Sequence, residues 1–373
     1  MNLRNLAISL LLLSAIPAWC QDTEPLGDVA RQVRAERKTE SAPAGLSEYV
    51  STLEKKSAAN PSDLACRREL LQALTMATFT GVKYSQLKEK RRAQILWLIE
   101  NHPDFSAIPH DFIGYPPLED RDGYKSAKEL WLKQLDASPK NAAVLKNAAQ
   151  FFLAEEEDRA EDLIIRAVKV DPTTSEAVPF MALDYERKAR QSASEQEKHR
   201  LALRASGLLE RTSNATSGEV RFGLLVDLVQ AAFDAGELSK AQQYSEELLR
   251  DAGKYKTTTS PDCPTPEPGV YYGNAIHKAN IILGEVSLTK DDLKASERFL
   301  LEAGRTPGSA QLASFGPNMA LAKRLLEKGD SKPVLEYFEE CRKFWEFNQG
   351  KLDEWKRDVL AGKMPVFGGN LNY

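Results

Sequence analysis

Histidine and carboxylate side chains gather at one place in this sequence, His102-Pro-Asp104 and His110-Asp111. These residue types ligate zinc. No two histidines stand four apart on one helix face, however, and Pro103 and Pro109 break the backbone between them. A histidine ending a helix, followed by polar loop residues, accounts for them. Glu155-Glu156-Glu157-Asp158 reads as a solvated turn between helices rather than a cation site. His199 and His277 have no neighbouring Cys or Ser that would pair a nucleophile with a base. Carboxylate pairs suited to glycoside hydrolysis are unavoidable with 54 acidic residues, so their presence carries no information. Neither a Walker-type phosphate loop nor a Rossmann glycine fingerprint is present. The residues therefore point away from an enzyme and imply no cofactor and no metal. Tyr271 and Tyr272, beside a proline-rich stretch, are candidate binding aromatics, and local packing explains them equally well.

Composition narrows the class. A net charge of −4 with no basic stripe gives no footprint for nucleic acid. With 28% charged and 42% hydrophobic residues in 373, an extended repeat array that keeps much of its surface wet fits better than one large core. At the N-terminus, Arg4, the apolar Leu10–Leu13 and the small residues flanking Trp19 read as a signal peptide over 1–20, cleaved between Cys20 and Gln21. That run is too short to be a stable membrane span. Bulky Trp19 argues against lipid on Cys20. The expected location is periplasmic or secreted. Of the remaining cysteines, Cys66 and Cys341 fall in apolar helical patterns and are expected in the core, while Cys263 lies in a proline-rich loop and is expected to be exposed.

The elements that must position any site are helices. Residues 21–45 form a polar leader, and helical periodicity begins near Leu46. Degenerate helical repeats over 46–140 are interrupted at 104–123, where Pro109, Pro116, Pro117, Gly114 and Gly123 predict an irregular insert. The clearest unit is 141–172. Val144, Ala148, Phe151 and Phe152 make one apolar stripe, and Ala160, Leu163, Ile164, Ala167 and Val168 make a second before Asp171-Pro172. A similar unit follows at 219–251, where Gly236 supplies a helix-ending turn and Ala241 a small residue for close approach. Residues 253–274 read as a long irregular loop with four prolines. Leu352, Trp355 and Val359 predict a terminal capping helix within 346–373, followed by a tail without periodicity.

The spacings Ala160-x3-Ile164, Ala93-x3-Trp97 and Ala127-x3-Trp131, with Pro139 and Pro172 33 residues apart, resemble the tetratricopeptide repeat. The C-terminal FGPNMALAKRLLEKG, VLEYFEECRKFW and GNLNY segments are similar to exported bacterial repeat proteins of undefined activity. The resemblance implies an all-α, right-handed α-α superhelix of antiparallel helix pairs over 141–345, whose concave groove binds a protein or peptide. The first helix of each pair would line that groove, which places Phe152, Gln230, Phe233 and Lys323 toward a partner. The carboxylate-clamping Lys, Arg and Asn of some family members are replaced here by Ala142, Leu145 and Ala149. Two further readings stay open, an envelope enzyme acting on cell-wall glycan and a lipoprotein subunit of an outer-membrane assembly.

Overall fold

The structure, a computed structural model, describes residues 44–79, 82–105, 120–260, 263–269 and 271–371. The signal segment with Cys20 and Gln21, the leader to residue 43, and His110 and Asp111 lie outside the described residues. Among the described residues are sixteen α-helices and one two-stranded hairpin. The first four helices are α1 (Ala44–Ala59), α2 (Leu64–Phe79), α3 (Tyr84–Asn101) and α4 (Arg121–Ala137). Next come α5 (Ala142–Phe152), α6 (Glu157–Val170), α7 (Val178–Gln191), α8 (Glu195–Asn214), α9 (Gly218–Asp234) and α10 (Leu238–Ala252). The hairpin, β1 (Thr257–Ser260) and β2 (Cys263–Pro268), precedes α11 (Tyr272–Thr289), α12 (Leu293–Gly304) and α13 (Ala310–Phe315). The chain closes with α14 (Ala320–Glu327), α15 (Lys332–Arg342) and α16 (Lys351–Leu360).

Consecutive helices pack as pairs, α5 on α6, α7 on α8, α9 on α10 and α11 on α12. Each pair reaches the next through α8–α9 and α10–α11, and contacts that skip one helix join α6 to α8 and α9 to α11. Local sequence explains the boundaries. The Asn141 side chain accepts from the Ala143 and Val144 N–H groups and starts α5. At the end of α9, Gly236 takes φ 74°, and the Glu237 N–H donates to the Ala232 carbonyl at 2.9 Å. That six-to-one bond closes a Schellman turn, which a side-chain-bearing residue would strain. Gly329 does the same after α14, with φ 85° and Asp330 donating to Leu325.

The apolar stripes are buried as their periodicity requires. One core cluster extends from Leu71 to Val286 and a second from Ile281 to Phe367, so α11 serves both, with Ala275, Ala279 and Ile282 in the first and Ile281 and Leu288 in the second. Ala160 and Ala241 are fully buried at helix contacts. Replacing either with Leu is expected to cost roughly 1–3 kcal/mol by overpacking. Glu156→Ala, which removes partly exposed pairs to Lys128 and Arg159, should cost less than about 1 kcal/mol. Denaturant midpoints of the three variants compare them directly.

Two expectations need correction. Residues 121–123 are helical rather than irregular, because Asp120 caps α4 through the Gly123 N–H at 3.1 Å and is itself held by Arg92. Within the expected loop at 253–274, the described residues 257–260 and 263–268 form a hairpin. Thr257 pairs with Pro268 and Thr258 with Glu267 in an antiparallel ladder, β-branched residues on one strand and prolines on an edge that tolerates them. The tail after Pro365 folds back, and buried Asn370 donates to the Phe315 and Pro317 carbonyls at 3.1 and 3.0 Å while its own carbonyl accepts from Met319. The expected capping helix is present as α16, with Leu352, Trp355 and Val359 buried.

Candidate functional site

Three helices turn a polar stripe to solvent while their other faces enter the core. On α9 this face carries Gly223, Asp227, Gln230 and Asp234, and on α11 it carries half-buried Asn274 and Lys278 followed by buried Ile281 and Glu285. Both runs follow the four-three-four spacing that keeps residues on one helix face. Leu183, Glu186 and Arg190 supply the corresponding run on α7, where Leu183 is half exposed. Lys278 Nζ stands 3.4 Å from Asp227 Oδ1, which brings the α9 and α11 stripes together, and Arg324 of α14 pairs with Glu285.

Burial raises three carboxyls along this surface, Glu186, Asp234 and Glu285. Burial, followed by the charge of Asp234, pushes Glu186 up to about 7, while Lys278 and Arg190 act against the rise. Burial also raises Asp234 despite the hydrogen bond from Gln230 at 2.9 Å. Asp234 is nonetheless exposed by surface area. Protein surrounds it without sealing it from water, so solvent moderates the effect. Burial raises Glu285 as well, against the opposing charge of Arg324.

Two ion pairs on this face are long, while Arg324–Glu285 is close. Arg190 lies 3.9 Å from Glu186, and Lys278–Asp227 spans 3.4 Å. By contrast, Glu161 on α6 is buried and engages Arg204 at 2.8 Å, Arg211 and the Tyr185 hydroxyl. Glu210 on α8 holds Lys240 at 2.8 Å and accepts from Tyr244 at 2.6 Å.

A cleft of about 160 Å³ opens between α9, α11 and α13 at the end of this stripe. Val226, Ile281 and Leu312 form its apolar base. Tyr271 is one wall, and its ring lies so close over Gly223 that a β-carbon there would sit 2.9 Å from it. Asn274 donates to Gln311 at 2.7 Å on the rim. Fully buried His277 lies below. Its Nε2 accepts from the Asn318 N–H at 3.0 Å, which places the proton on Nδ1, 3.1 Å from the Ala303 carbonyl. Burial depresses His277 to about 4 from the ordinary 6.5.

These two groups give opposite pH dependences over overlapping windows. Between about pH 4 and 6.5 the unfolded chain binds a proton that folded His277 refuses, so stability falls as pH drops through that interval. Glu186 holds a proton in the folded state between 4.5 and about 7 that the unfolded chain has released, so its contribution falls as pH rises through that range. The wild-type protein should show partial cancellation. Glu186→Gln is expected to steepen the loss of stability on acidification, and His277→Gln to flatten or reverse it. Urea midpoints measured across the interval check both.

The sequence-predicted residues do not converge. Gln230 is in the stripe. Phe152 is completely buried, edge-on to Phe151 at 5.1 Å, and so is a core residue rather than groove-facing, because neighbouring helices enclose both sides of short α5. Phe233 is half-buried against the same core. Lys323 lies on α14, loosely paired with Glu327 at 3.7 Å. The stripe residues Glu186, Asp227, Asp234, Lys278 and Glu285 were missed, although a polar face repeating on otherwise apolar helices was a readable signal. His102 ends α3 with its ring 5.4 Å from Trp97. Of the Glu155–Asp158 row, Glu156, Glu157 and Asp158 are engaged in pairs with Lys128, Arg159, Lys188, Arg200 and Arg204. Cys66 and Cys341 are buried free thiols, and the Cys263 side chain lies outside the described residues. Among the described residues no group of three or more His, Cys, Asp or Glu is placed to hold a metal, and no helix is long and apolar enough to cross a membrane. The chain matches no protein-family model, no curated protein and no solved structure.

Proposed function

We propose that the stripe across α7, α9 and α11 binds a segment of a partner protein, and that the helix pairs continue as the superhelix implied by the tetratricopeptide resemblance, with this stripe on its concave side. The observation that carries the reading is the contrast in ion pairing. Glu161 and Glu210 on the second helices each hold two or more close partners, whereas Glu186 and Arg190, and Asp227 and Lys278, stand 3.9 and 3.4 Å apart. Such groups gain most from an incoming polar partner, because their desolvation is already partly incurred. The N-terminal Arg4 and Leu10–Leu13 pattern supports action after export.

A glycan-cleaving enzyme is the reading to weigh against it, since a carboxyl raised to about 7 suits a general acid. That chemistry also needs a second carboxylate held ionised nearby. Asp234, the strongest charged influence on Glu186, is exposed and accepts from its own helix neighbour Gln230, with no enclosed cavity among the described residues beside the two carboxyls to hold a sugar ring. A photo-crosslinking residue at Gln230, compared with one at exposed Gln243 on α10, tests the proposal in the native envelope fraction. A discrete adduct from position 230 alone is expected. Equal labelling from both positions, or labelling from 243 alone, would move the interface elsewhere.

A further inference from the structure

The stripe ends in a cleft whose chemistry differs from the stripe itself, and the difference specifies what the bound segment carries. The base is hydrocarbon, with Val226, Ile281 and Leu312 each at most 5% exposed. Polar atoms at the bottom are already satisfied. Both His277 ring nitrogens are in hydrogen bonds, and the Asn318 side-chain oxygen accepts from the Ala320 N–H at 2.8 Å. A polar or ionic occupant would therefore find no partner at the base, while an apolar one leaves no group unpaired. The volume, about 160 Å³, matches one large side chain, since an apolar cavity of about 150 Å³ accommodates benzene. Tyr271 offers a partly exposed ring face beside it, held in place by the missing side chain of Gly223.

The other end of the stripe is negative. Glu186 faces Asp227 and Asp234 on α9, with Lys278 on α11 and Arg190 on its own helix opposing them. Asp227, on the cleft rim, and Asp234 are seven residues apart on α9, about 10 Å by helical rise. An extended chain covers that distance in about three residues.

We propose that the cleft between α9, α11 and α13 seats one large aliphatic or aromatic side chain of a partner peptide, and that Glu186 and Asp234 receive a lysine or arginine about three residues away from it. The inference rests on the peptide-binding reading and adds the chemistry of the segment. A cation entering between the two carboxyls favours their ionised forms, and so releases the proton that Glu186 retains near neutrality. Binding should therefore strengthen as pH rises through 7, and this dependence should require the basic residue of the peptide.

Phage-displayed random peptides panned on the folded protein supply the probe. The best-enriched peptide is then synthesised with its apolar residue changed to Ser, or its basic residue changed to Met. Enrichment of a large apolar residue about three positions from Lys or Arg is expected. Gln311→Trp, placed on the exposed rim to cover the cleft, should weaken the parent peptide by roughly tenfold or more and leave the Ser form little changed. Glu186→Gln with Asp234→Asn should bind the parent and Met forms equally and abolish the rise in affinity between about pH 6 and pH 8. Circular-dichroism melts of all variants check folding. Peptides lacking the pattern, or a parent peptide unaffected by Gln311→Trp, overturn the inference while leaving a Gln230 adduct to support the wider reading. A Gln230 adduct with no enriched peptide counts against the segment chemistry, and loss of both rejects the two together.

Discussion

Phe152→Ala is expected to destabilise the protein by about 3–5 kcal/mol, the usual cost of emptying a buried phenylalanine site. The ring has no exposed surface, packs edge-on against Phe151 at 5.1 Å and has the Arg159 guanidinium 5.1 Å from its centre. Phe151 is in turn stacked on Tyr124 of α4 at 4.9 Å, so the cavity would open between two helix pairs, with little freedom to collapse. A groove residue would behave oppositely, with unchanged denaturant midpoint and weakened capture of the partner. Urea unfolding of Phe152→Ala, beside Gln230→Ala as the surface comparison, separates the two roles. A loss below about 1 kcal/mol at position 152 would place the ring outside the core and reopen the groove assignment.

Gly273→Ala should approach the same scale, at about 3 kcal/mol, although it adds one methyl group. Its β-carbon would fall within the van der Waals shell of the Gly308 carbonyl oxygen, and the obstruction is backbone, which cannot rotate away. The Gly273 carbonyl also accepts from the Thr306 hydroxyl at 2.7 Å, so separating the segments breaks that bond too. The consequence reaches the proposed cleft. Ser309 donates to Asn274 at 2.6 Å and Asn274 to Gln311, and both contacts depend on the close approach at Gly273. Peptide affinity should therefore fall together with stability. Gly207→Ala is the matched control. Nothing lies within 4 Å of the added carbon, and α8 should gain up to about 1 kcal/mol from the better helix former. Thermal and urea midpoints of the two variants give the comparison.

The helix pairs were legible because burial on a helix leaves a periodic trace. Ala160, Leu163, Ile164, Ala167 and Val168 are all buried, and the turn at Gly236 has the left-handed backbone its glycine foretold. The hairpin was not legible. Its prolines argue against a strand by local propensity, and only pairing across the Thr257–Pro268 ladder makes an extended conformation there favourable. Asn370 was hidden for a similar reason, since its partners Phe315, Pro317 and Met319 lie more than fifty residues back along the chain.

By itself the sequence determined the helical class, the pairing of consecutive helices, the turn at Gly236 and the lack of a basic stripe, all of which follow from local periodicity and composition. Which side of each helix meets solvent was decided only by tertiary structure. On short α5, Phe152 belongs to the apolar stripe yet could serve core or groove until α4, α6 and the turn at Pro172–Ala177 pack against that helix. The polar stripe is the converse case. Asp227, Glu186 and Lys278 are ordinary surface charges taken singly, and they influence one another only because α7, α9 and α11 bring them together, where burial first and the neighbouring charges second raise Glu186.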